Sequence, residues 1–306
     1  MKFLMTGWLS IVKKILIIGA SGFIGGKAFQ SLSKMKNFLV KGTYFSRKSE
    51  NMEYLDVNDV DNVSNVFNTF KPNIILHPAY IPNVDYCEEN KDIVWKTNVE
   101  GTRNVAKIAQ KIMAKLVFFS SDYIFDGKNG PYSEDAVPSP ISFYGFTKSV
   151  GENIVKCVDD NLILRMTVVY GWDPNSKNFI MQLINNLRNN IPMRVPTDQC
   201  GTPVLVDNLI DILTELIEKD KKGVYNIGGP DLVNRYEFAI KVAEIFNLDK
   251  SLIIPVDTKS LCQKALRPLK GGLKIDKAKK ELKTRLLGIE EGLKIVKQQW
   301  ENHEKR

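Results

Sequence analysis

The chain has 306 residues, of which 43% are hydrophobic and 25% are charged, a composition that is ordinary for a globular protein. This length can bury a large core, arranged as one large domain or as two smaller ones. The formal net charge of +8 comes from basic residues spread along the chain rather than clustered. That spread argues against a nucleic-acid-binding protein and leaves anionic substrates or cofactors as an open interpretation.

Cysteine and histidine are scarce, which excludes several kinds of site. The two histidines, His77 and His303, leave almost nothing for a zinc site or a Ser-His-Asp hydrolase, so we predict no metal site. No CxxC pair or disulfide framework is apparent, which favours a reducing, cytoplasmic location. The four cysteines are Cys87, Cys157, Cys200 and Cys262.

No apolar run reaches the length of about 18 residues that a transmembrane helix needs, so no membrane segment is expected. The stretch "MKFLMTGWLSIV" faintly resembles a signal peptide. Its apolar run is interrupted by Thr6, Gly7 and Ser10, and no small-residue cleavage site follows. We interpret residues 1–12 as a disordered extension, or as the product of an upstream start codon.

Short β-branched runs alternate with amphipathic stretches over the first half of the chain. Strands are predicted in "KILIIGA", "FLVKGTYF", "NIILHPA", "KLVFFSS" and "NLILRMTVVYG". Helices are predicted over 22–34, 57–70, 89–113 and 143–158. This alternation predicts an α/β fold with a parallel sheet covered on both faces. The order of the units predicts a doubly wound, Rossmann-like domain over residues 1–170.

The regular alternation of predicted strands and helices ends after Gly171. A clear amphipathic helix occupies "VDNLIDILTELIEKD" (206–220), and "GVYNIGG" is a short strand between loops. Further helices are predicted over 178–190, 234–246 and 289–302. We expect residues 171–306 to form a smaller, mixed substrate-binding domain, with some segments returning to the first sheet.

The segment "IIGASGFIGG" places Gly19, Gly22 and Gly25 directly after the first strand and at the start of the first helix. There, the glycines permit a tight turn, close approach to a pyrophosphate, and close packing of helix on sheet. The spacing is GxxGxxG rather than GxGxxG. We predict a dinucleotide site that also uses Ser21, Phe23 and Ile24; the alternative is a glycine-rich turn without a ligand.

The end of the second strand indicates which dinucleotide is bound. An acidic residue there favours NAD(H), whereas a basic residue accommodates the 2′-phosphate of NADP(H). Ser46, Arg47 and Lys48 follow the strand, and the first acid is Glu50, so NADP(H) is favoured over NAD(H). A solvated basic loop is the alternative. The other predicted cofactor contacts are Asp56, which suits the adenine amine, Val57, Pro78 and Ala79.

Tyr144 and Lys148 in "FYGFTK" are four residues apart and can share one face of a helix. With 10 tyrosines and 43 basic residues such a pair is expected by chance, and Tyr44–Lys48 is a second example. Context carries the argument, because Ser121 ends the fourth strand, where doubly wound sheets bind ligands. A hydroxyl, a phenol and an ammonium can therefore converge there. A capping serine and a surface Tyr–Lys pair are the alternative.

Together, the glycine loop, Ser121, Tyr144-x-x-x-Lys148 and Asn98 in "KTNVEGT" resemble the extended short-chain dehydrogenase/reductases. Within them, "SSDYIFDG", "LRMTVVYG", "DQCGTPVLVDNL" and "YNIGGPDLVNRYEFA" resemble the dTDP-4-dehydrorhamnose reductases, over about residues 14 to 285. The "SSDYIFDG" run also resembles the regulatory beta subunit of methionine adenosyltransferase. That protein has the same fold and binds NADP, but acts by partnering.

The resemblance implies an NAD(P)-dependent oxidoreductase of the CH-OH class, which reduces a nucleotide-linked 4-keto-6-deoxy sugar with NADPH. It implies that Tyr144 is the acid and that Ser121 polarises the carbonyl. Lys148 and the cofactor's charge would lower the pKa of Tyr144, and Asn98 would help hold a water relay to Lys148. Two positions differ from the family pattern. "HPAY" (77–80) stands where the family has "NAAA", which suggests that His77 is a packed residue near the cofactor rather than a base. Ser121 stands where the family usually has Thr.

Further residues match family positions near the sugar nucleotide. An arginine can bind a pyrophosphate through two parallel hydrogen bonds. The equal alternative is that these positions are ordinary loop and surface residues. The predicted substrate contacts are Ser121, Asp122, Tyr123, Asn178, Thr202 and Arg267.

Two other functions are open at this point. The first is a sugar-nucleotide epimerase or dehydratase of the same fold, although a dehydratase would usually carry an acid where Tyr123 stands. The second is a non-catalytic, NADP-binding regulatory subunit. The expected partner is a nucleotide-sugar substrate, with neither nucleic acid nor membrane; a homodimer, the sugar and a need for Mg²⁺ are open.

Overall fold

The computed structural model describes residues 12–176 and 178–304. The predicted extension over residues 1–12 falls, apart from Val12, outside this part of the chain. The strands are β1 (Lys13–Ile17), β2 (Phe38–Tyr44), β3 (Met52–Tyr54), β4 (Ile74–His77), β5 (Lys115–Ser121), β6 (Asn161–Met166), β7 (Val169–Tyr170), β8 (Met193–Pro196), β9 (Cys200–Gly201), β10 (Val204–Leu205), β11 (Gly223–Ile227), β12 (Val233–Asn234) and β13 (Ile253–Val256).

The helices alternate with these strands through the first half of the chain. They are α1 (Phe23–Leu32), α2 (Val60–Phe70), α3 (Val84–Glu89), α4 (Lys91–Trp95), α5 (Gly101–Lys111), α6 (Phe143–Lys156), α7 (Phe179–Arg188), α8 (Val206–Glu218), α9 (Arg235–Phe246), α10 (Asp276–Glu281) and α11 (Ile289–Glu304). A π-helical turn (Lys96–Glu100) separates α4 from α5.

The central element is a seven-stranded sheet in the order β11-β6-β5-β4-β1-β2-β3, and every pair of neighbouring strands in it is parallel. The chain first builds outward from β1 to β3 and then crosses to β4 on the other side of β1. Such a reversal opens a ligand crevice outside the carboxyl ends of the strands. The predicted doubly wound parallel sheet is confirmed.

Both faces of the sheet are covered, which explains its nearly continuous apolar strands. Ile15 and Ile17 of β1 belong to a buried cluster with α1 and α8 on one face. Leu16 between them belongs to a second cluster, with α2, α5 and α6 on the opposite face. Alternate side chains of one strand therefore fill two cores.

The second half of the chain contributes to this sheet and also forms a core of its own. Strand β11 pairs with β6, and α8 covers the face of the sheet that α1 covers. A third buried cluster unites α7, α9 and α11. The division into domains near residue 170 stays a prediction.

Some elements differ from the predicted ones. The single helix over 89–113 is wrong: Asn90 leaves helical geometry at φ −126°, and the π-helical turn follows. The predicted fifth strand is divided at Val168, whose φ is +43°, and β7 then pairs with β10 outside the main sheet. The predicted loop over 191–203 contains β8 and β9, which pair with β13 and β12. Strand β3 and helix α10 were also not predicted.

Candidate active site

The glycine loop connects β1 to α1 and leaves no room for a side chain at Gly19 or Gly25. Gly19 has a φ of +85°, and a Cβ there would lie 3.1 Å from Cβ of Ala79. A Cβ on Gly25 would lie 2.3 Å from the carbonyl oxygen of Gly19. Gly22 is the N-cap of α1 and supplies no side-chain cap, so the helix presents backbone N–H groups to an anion. The loop therefore fits the pyrophosphate of a dinucleotide.

A cleft of about 740 Å³ lies beside this loop. Five predicted cofactor residues line it: Ser21, Gly22, Phe23, Arg47 and Lys48. The sequence analysis missed five other lining residues, although the rule that ligands bind at carboxyl ends of strands indicated those just after Gly171. They are Trp172, Asp173, Pro174, Asn175 and His303.

The basic residues after β2 are available to a phosphate. Ser46, Arg47 and Lys48 are exposed, and neither cation forms an ion pair with any described residue. The other predicted cofactor residues do not line the cleft. Ile24 packs on the first core cluster, Asp56 accepts a hydrogen bond from the Asn58 amide, Val57 is buried, and Pro78 and Ala79 follow β4.

Ser121, Tyr144 and Lys148 come together at the carboxyl end of β5. Helix α6 begins at Ser142, whose hydroxyl accepts a hydrogen bond from the Gly145 amide. Gly145 lets the helix approach closely, because a Cβ there would lie 2.0 Å from the Tyr123 carbonyl oxygen. The Ser121 hydroxyl donates to the Asp122 carboxylate at 3.3 Å, and it lies close enough to Tyr144 to lower the pKa of the phenol. The expected hydroxyl, phenol and ammonium are therefore neighbours.

The pKa of Tyr144 is raised in the protein alone, and the expected lowering by Lys148 together with the cofactor's charge stays a prediction. Burial is the main cause; the Ser121 hydroxyl lowers the pKa, while Tyr123 and Asp122 raise it further. Lys148 is not among the causes of this shift, and its Nζ lies 6.0 Å from the centroid of the Tyr144 ring. Tyr144 is thus a protonated phenol at neutral pH.

Lys148 is only 5% exposed, and its surroundings are mostly apolar. Its Nζ donates a hydrogen bond to the Phe119 carbonyl at 2.6 Å and lies 3.4 Å from the centroid of the Tyr80 ring. Burial lowers the pKa of Lys148 to about 7, against upward contributions from Glu152 and Cys87. Tyr80 is a neighbour that the sequence analysis missed, although it stands in the noted "HPAY" departure.

Lys148→Met is expected to stabilise the protein, and most strongly below pH 7. The pKa of Lys148 falls from 10.5 to about 7 on folding, so between these values the unfolded chain binds more protons and wild-type stability rises with pH. The gain from Met should therefore shrink as pH rises from 7 towards 10.5. Urea unfolding at pH 6.5 and 9.5 measures it, with exposed Lys107→Met as the control. An equal gain at both pH values would contradict the buried charge.

Asn98 holds the loop after β4. Its side chain accepts a hydrogen bond from the Ile81 amide at 2.9 Å and donates one to the Ile81 carbonyl at 3.4 Å. Its own carbonyl accepts from Thr102, whose hydroxyl also lies 3.2 Å from Nε2 of His77. Burial lowers the pKa of His77 to about 3. His77 is therefore a packed, neutral imidazole, as its sequence context suggested.

Asp122 and Tyr123 line a small cavity of about 20 Å³. Burial raises the pKa of Asp122, although a hydrogen bond from the Gly272 amide opposes the shift. Burial raises the pKa of Tyr123, and the charge of Arg235, a lining residue that the sequence analysis missed, opposes that shift. No sequence signal pointed to Arg235, because its place in the cavity depends on how α9 packs.

The other predicted substrate residues make contacts within the protein. Asn178 caps α7 by accepting from the Met181 amide, and Thr202 accepts from the Leu273 amide. Arg267 pairs with Asp85 at 2.9 Å. None of the three lines either cavity, and their contact with a substrate stays a prediction.

Within residues 12–176 and 178–304, no group of three His, Cys, Asp or Glu side chains is arranged to hold a metal ion. Across the same ranges, every helix is too short or too polar to span a membrane.

Comparisons of the sequence with family models and with known proteins agree with one another. The model of the RmlD substrate binding domain matches residues 13–301. The beta subunit of methionine adenosyltransferase 2 from Xenopus tropicalis is 30% identical over 82% of this chain and 79% of its own. The dTDP-4-dehydrorhamnose reductase of Aggregatibacter actinomycetemcomitans is 29% identical over 75% and 78%.

A solved structure agrees with this result. The dTDP-4-dehydrorhamnose reductase of Bacillus anthracis, crystallised in complex with NADP, superposes with a TM-score of 0.87 at 28% identity. The match covers 94% of this chain and 99% of that one. The resemblance noted in the sequence is confirmed, and the chain belongs to the RmlD substrate-binding domain family.

Proposed function

We propose that this protein is an NADPH-dependent reductase of a nucleotide-linked 4-keto-6-deoxy sugar. The observation that carries the proposal is the placement of Ser121 close enough to Tyr144 to lower the pKa of its phenol, beside a buried Lys148 and next to a glycine loop that fits a dinucleotide. The similarity to dTDP-4-dehydrorhamnose reductases supports the same substrate class. The reaction reduces C=O, and its reverse would oxidise CH-OH.

Each residue of the trio has a distinct task. NADPH, when bound, supplies the hydride that the carbonyl carbon accepts. Tyr144 donates its phenolic proton to the carbonyl oxygen, for which its raised pKa keeps it protonated. Ser121 donates a hydrogen bond to that oxygen as negative charge develops. The Lys148 ammonium then stabilises the phenolate that Tyr144 leaves behind.

The cofactor would be held by the glycine loop and by the basic residues after β2. Gly19, Gly22 and Gly25 leave space for the pyrophosphate, and the amide groups at the start of α1 would bind it. Arg47 and Lys48 would bind the 2′-phosphate that distinguishes NADPH from NADH. A relative crystallised with NADP supports this assignment.

The double substitution Arg47→Ala/Lys48→Ala is expected to weaken NADPH binding by about 100-fold, because two charge-assisted contacts are lost. NADH lacks the 2′-phosphate, so its affinity should change less than threefold. Fluorescence titration with both cofactors measures the effect, with the exposed Lys107→Ala as control. An equal loss for NADH would show that these residues do not read the 2′-phosphate.

Oxidation of NADPH, followed at 340 nm with dTDP-4-keto-6-deoxyhexose generated in the cuvette, tests the proposed reaction. Turnover that depends on both the sugar nucleotide and the protein is the expected result. Tight NADPH binding without turnover would overturn the rhamnose-type assignment.

A second candidate is a non-catalytic regulatory subunit, favoured by 30% identity to methionine adenosyltransferase 2 subunit beta. Its test is co-purification with the catalytic subunit of a methionine adenosyltransferase from the same cell. A stable complex whose formation is unaffected by Tyr144→Phe would support this role. Absence of a complex at micromolar concentrations, together with sugar reduction, would exclude it.

A further inference from the structure

Tyr80 touches both residues that the proposed chemistry uses most. The face of its ring lies 3.4 Å, centroid to Nζ, from Lys148. The same ring meets Tyr144 edge-on, with centroids 6.1 Å apart and an interplanar angle of 89°. Its other aromatic neighbour is Phe118, at 6.2 Å. The related pattern "NAAA" would place a methyl group where this ring stands.

We propose that Tyr80 is a positioning residue that holds the Lys148 ammonium against its aromatic face, in the orientation from which Lys148 serves Tyr144. This inference rests on the proposed reductase function for its kinetic consequence. The contact itself is independent of that function.

The groups around Lys148 explain why an aromatic face matters there. Glu152, one turn further along α6, is engaged by Arg165 at 2.8 Å. Cys87 on α3 is a buried thiol whose pKa is raised to about 11, mainly by burial, and His77 on β4 is neutral. The Phe119 carbonyl is one strong acceptor. The electron-rich ring face therefore supplies much of the remaining stabilisation of the charge.

The backbone around Tyr80 is fixed on both sides. Ala79 lies against Gly19 of the glycine loop, and Ile81 exchanges two hydrogen bonds with the Asn98 side chain. The ring therefore stands at a defined place between the cofactor loop and α6. The Asn98 side chain thus holds the residue next to Tyr80.

The ring, rather than the hydroxyl, carries the effect. The Tyr80 hydroxyl is buried near Thr147, whose own hydroxyl donates to the Tyr144 carbonyl at 2.9 Å. Tyr80→Phe keeps the aromatic face and removes only the hydroxyl. Tyr80→Leu and Tyr80→Met keep apolar volume and remove the aromatic face.

The first readout needs no catalysis: an NMR titration of the ¹³Cε resonance of Lys148, assigned from its loss in Lys148→Arg. The Lys148 titration midpoint in Tyr80→Phe should match that of wild type. In Tyr80→Leu and Tyr80→Met the midpoint should be lower by about one pH unit. Thermal melts establish folding, and exposed Tyr86→Leu is the control. A midpoint unchanged in a folded Leu or Met variant would overturn the proposal.

The second readout is the pH profile of kcat. Reduction needs a charged Lys148, so the rate should fall as pH rises through the pKa of Lys148. This alkaline limb should move to lower pH by the same shift in Tyr80→Leu and Tyr80→Met, with unchanged NADPH affinity. If the NMR midpoint shifts in Tyr80→Leu and Tyr80→Met but the wild-type protein shows no turnover, the proposed function is refuted and the contact is established. Turnover with an unshifted limb would refute the positioning role.

Discussion

Tyr144→Phe is expected to lower kcat for the keto-sugar by about 1,000-fold, because general acid catalysis typically contributes 10²–10⁴-fold. The substitution removes only the phenolic oxygen. The ring keeps its edge-on contacts with Tyr123 at 5.7 Å and with Tyr80 at 6.1 Å, so the fold should be retained. NADPH affinity should change less than threefold. The measurement is the steady-state rate at 340 nm, together with a cofactor titration.

Tyr86→Phe is the matched control, since Tyr86 is 40% exposed on α3. It should retain wild-type rates. A Tyr144→Phe protein with kcat within a few-fold of wild type would mean that another group, or water, protonates the carbonyl oxygen.

The second large effect concerns stability. Arg165→Met is expected to lower the free energy of unfolding by about 3–5 kcal/mol, because it leaves a buried carboxylate without its main partner. Arg165 is 1% exposed and binds Glu152 through two nitrogens, at 2.9 and 2.8 Å. Ser120 donates to the same carboxylate at 2.6 Å. Urea unfolding measures the change.

The double variant Arg165→Met/Glu152→Met tests the reason for that loss. Removing both charges should restore much of the stability, since an apolar pair can replace a buried ion pair at little cost. A double variant as unstable as Arg165→Met would refute the uncompensated-charge explanation. The pair links β6 to α6, the helix that carries Tyr144 and Lys148. It therefore fixes that helix against the sheet at the candidate site.

The sequence predicted the elements whose signals are local. The apolar runs of β1, β4 and β5 are long enough to identify buried strands, and every residue of β5 is indeed buried. The glycine spacing identified the turn into α1 because Gly19 needs a positive φ and Gly25 needs to approach the loop closely. Helix α8 showed a clear apolar face.

Elements that depend on distant partners could not be predicted. Strands β7, β9 and β12 have two residues each and exist because a partner strand lies beside them. The π-helical turn before α5 interrupts a pattern that reads as one continuous helix. The fifth strand is divided at Val168, a β-branched residue at positive φ, against its local preference.

The candidate site also combines residues that the sequence predicted with contacts that depend on distant parts of the chain. The prediction that Ser121, Tyr144 and Lys148 converge came from their context, because Ser121 ends a strand at the edge where such sheets bind ligands. The sequence could not reveal that Arg267 pairs with Asp85, far away in the chain. It also could not reveal the direction of the Tyr144 pKa, because burial depends on the packing of Tyr123 and Asp122 around it.

The most direct test of the central claim is the fate of the hydride. The wild-type protein would be incubated with NADPH deuterated at C4 of the nicotinamide and with dTDP-4-keto-6-deoxyhexose, and the product analysed by NMR. The proposed function predicts deuterium on C4 of the sugar, and no product with Tyr144→Phe. Bound cofactor that retains all its deuterium in the presence of the keto-sugar would contradict it.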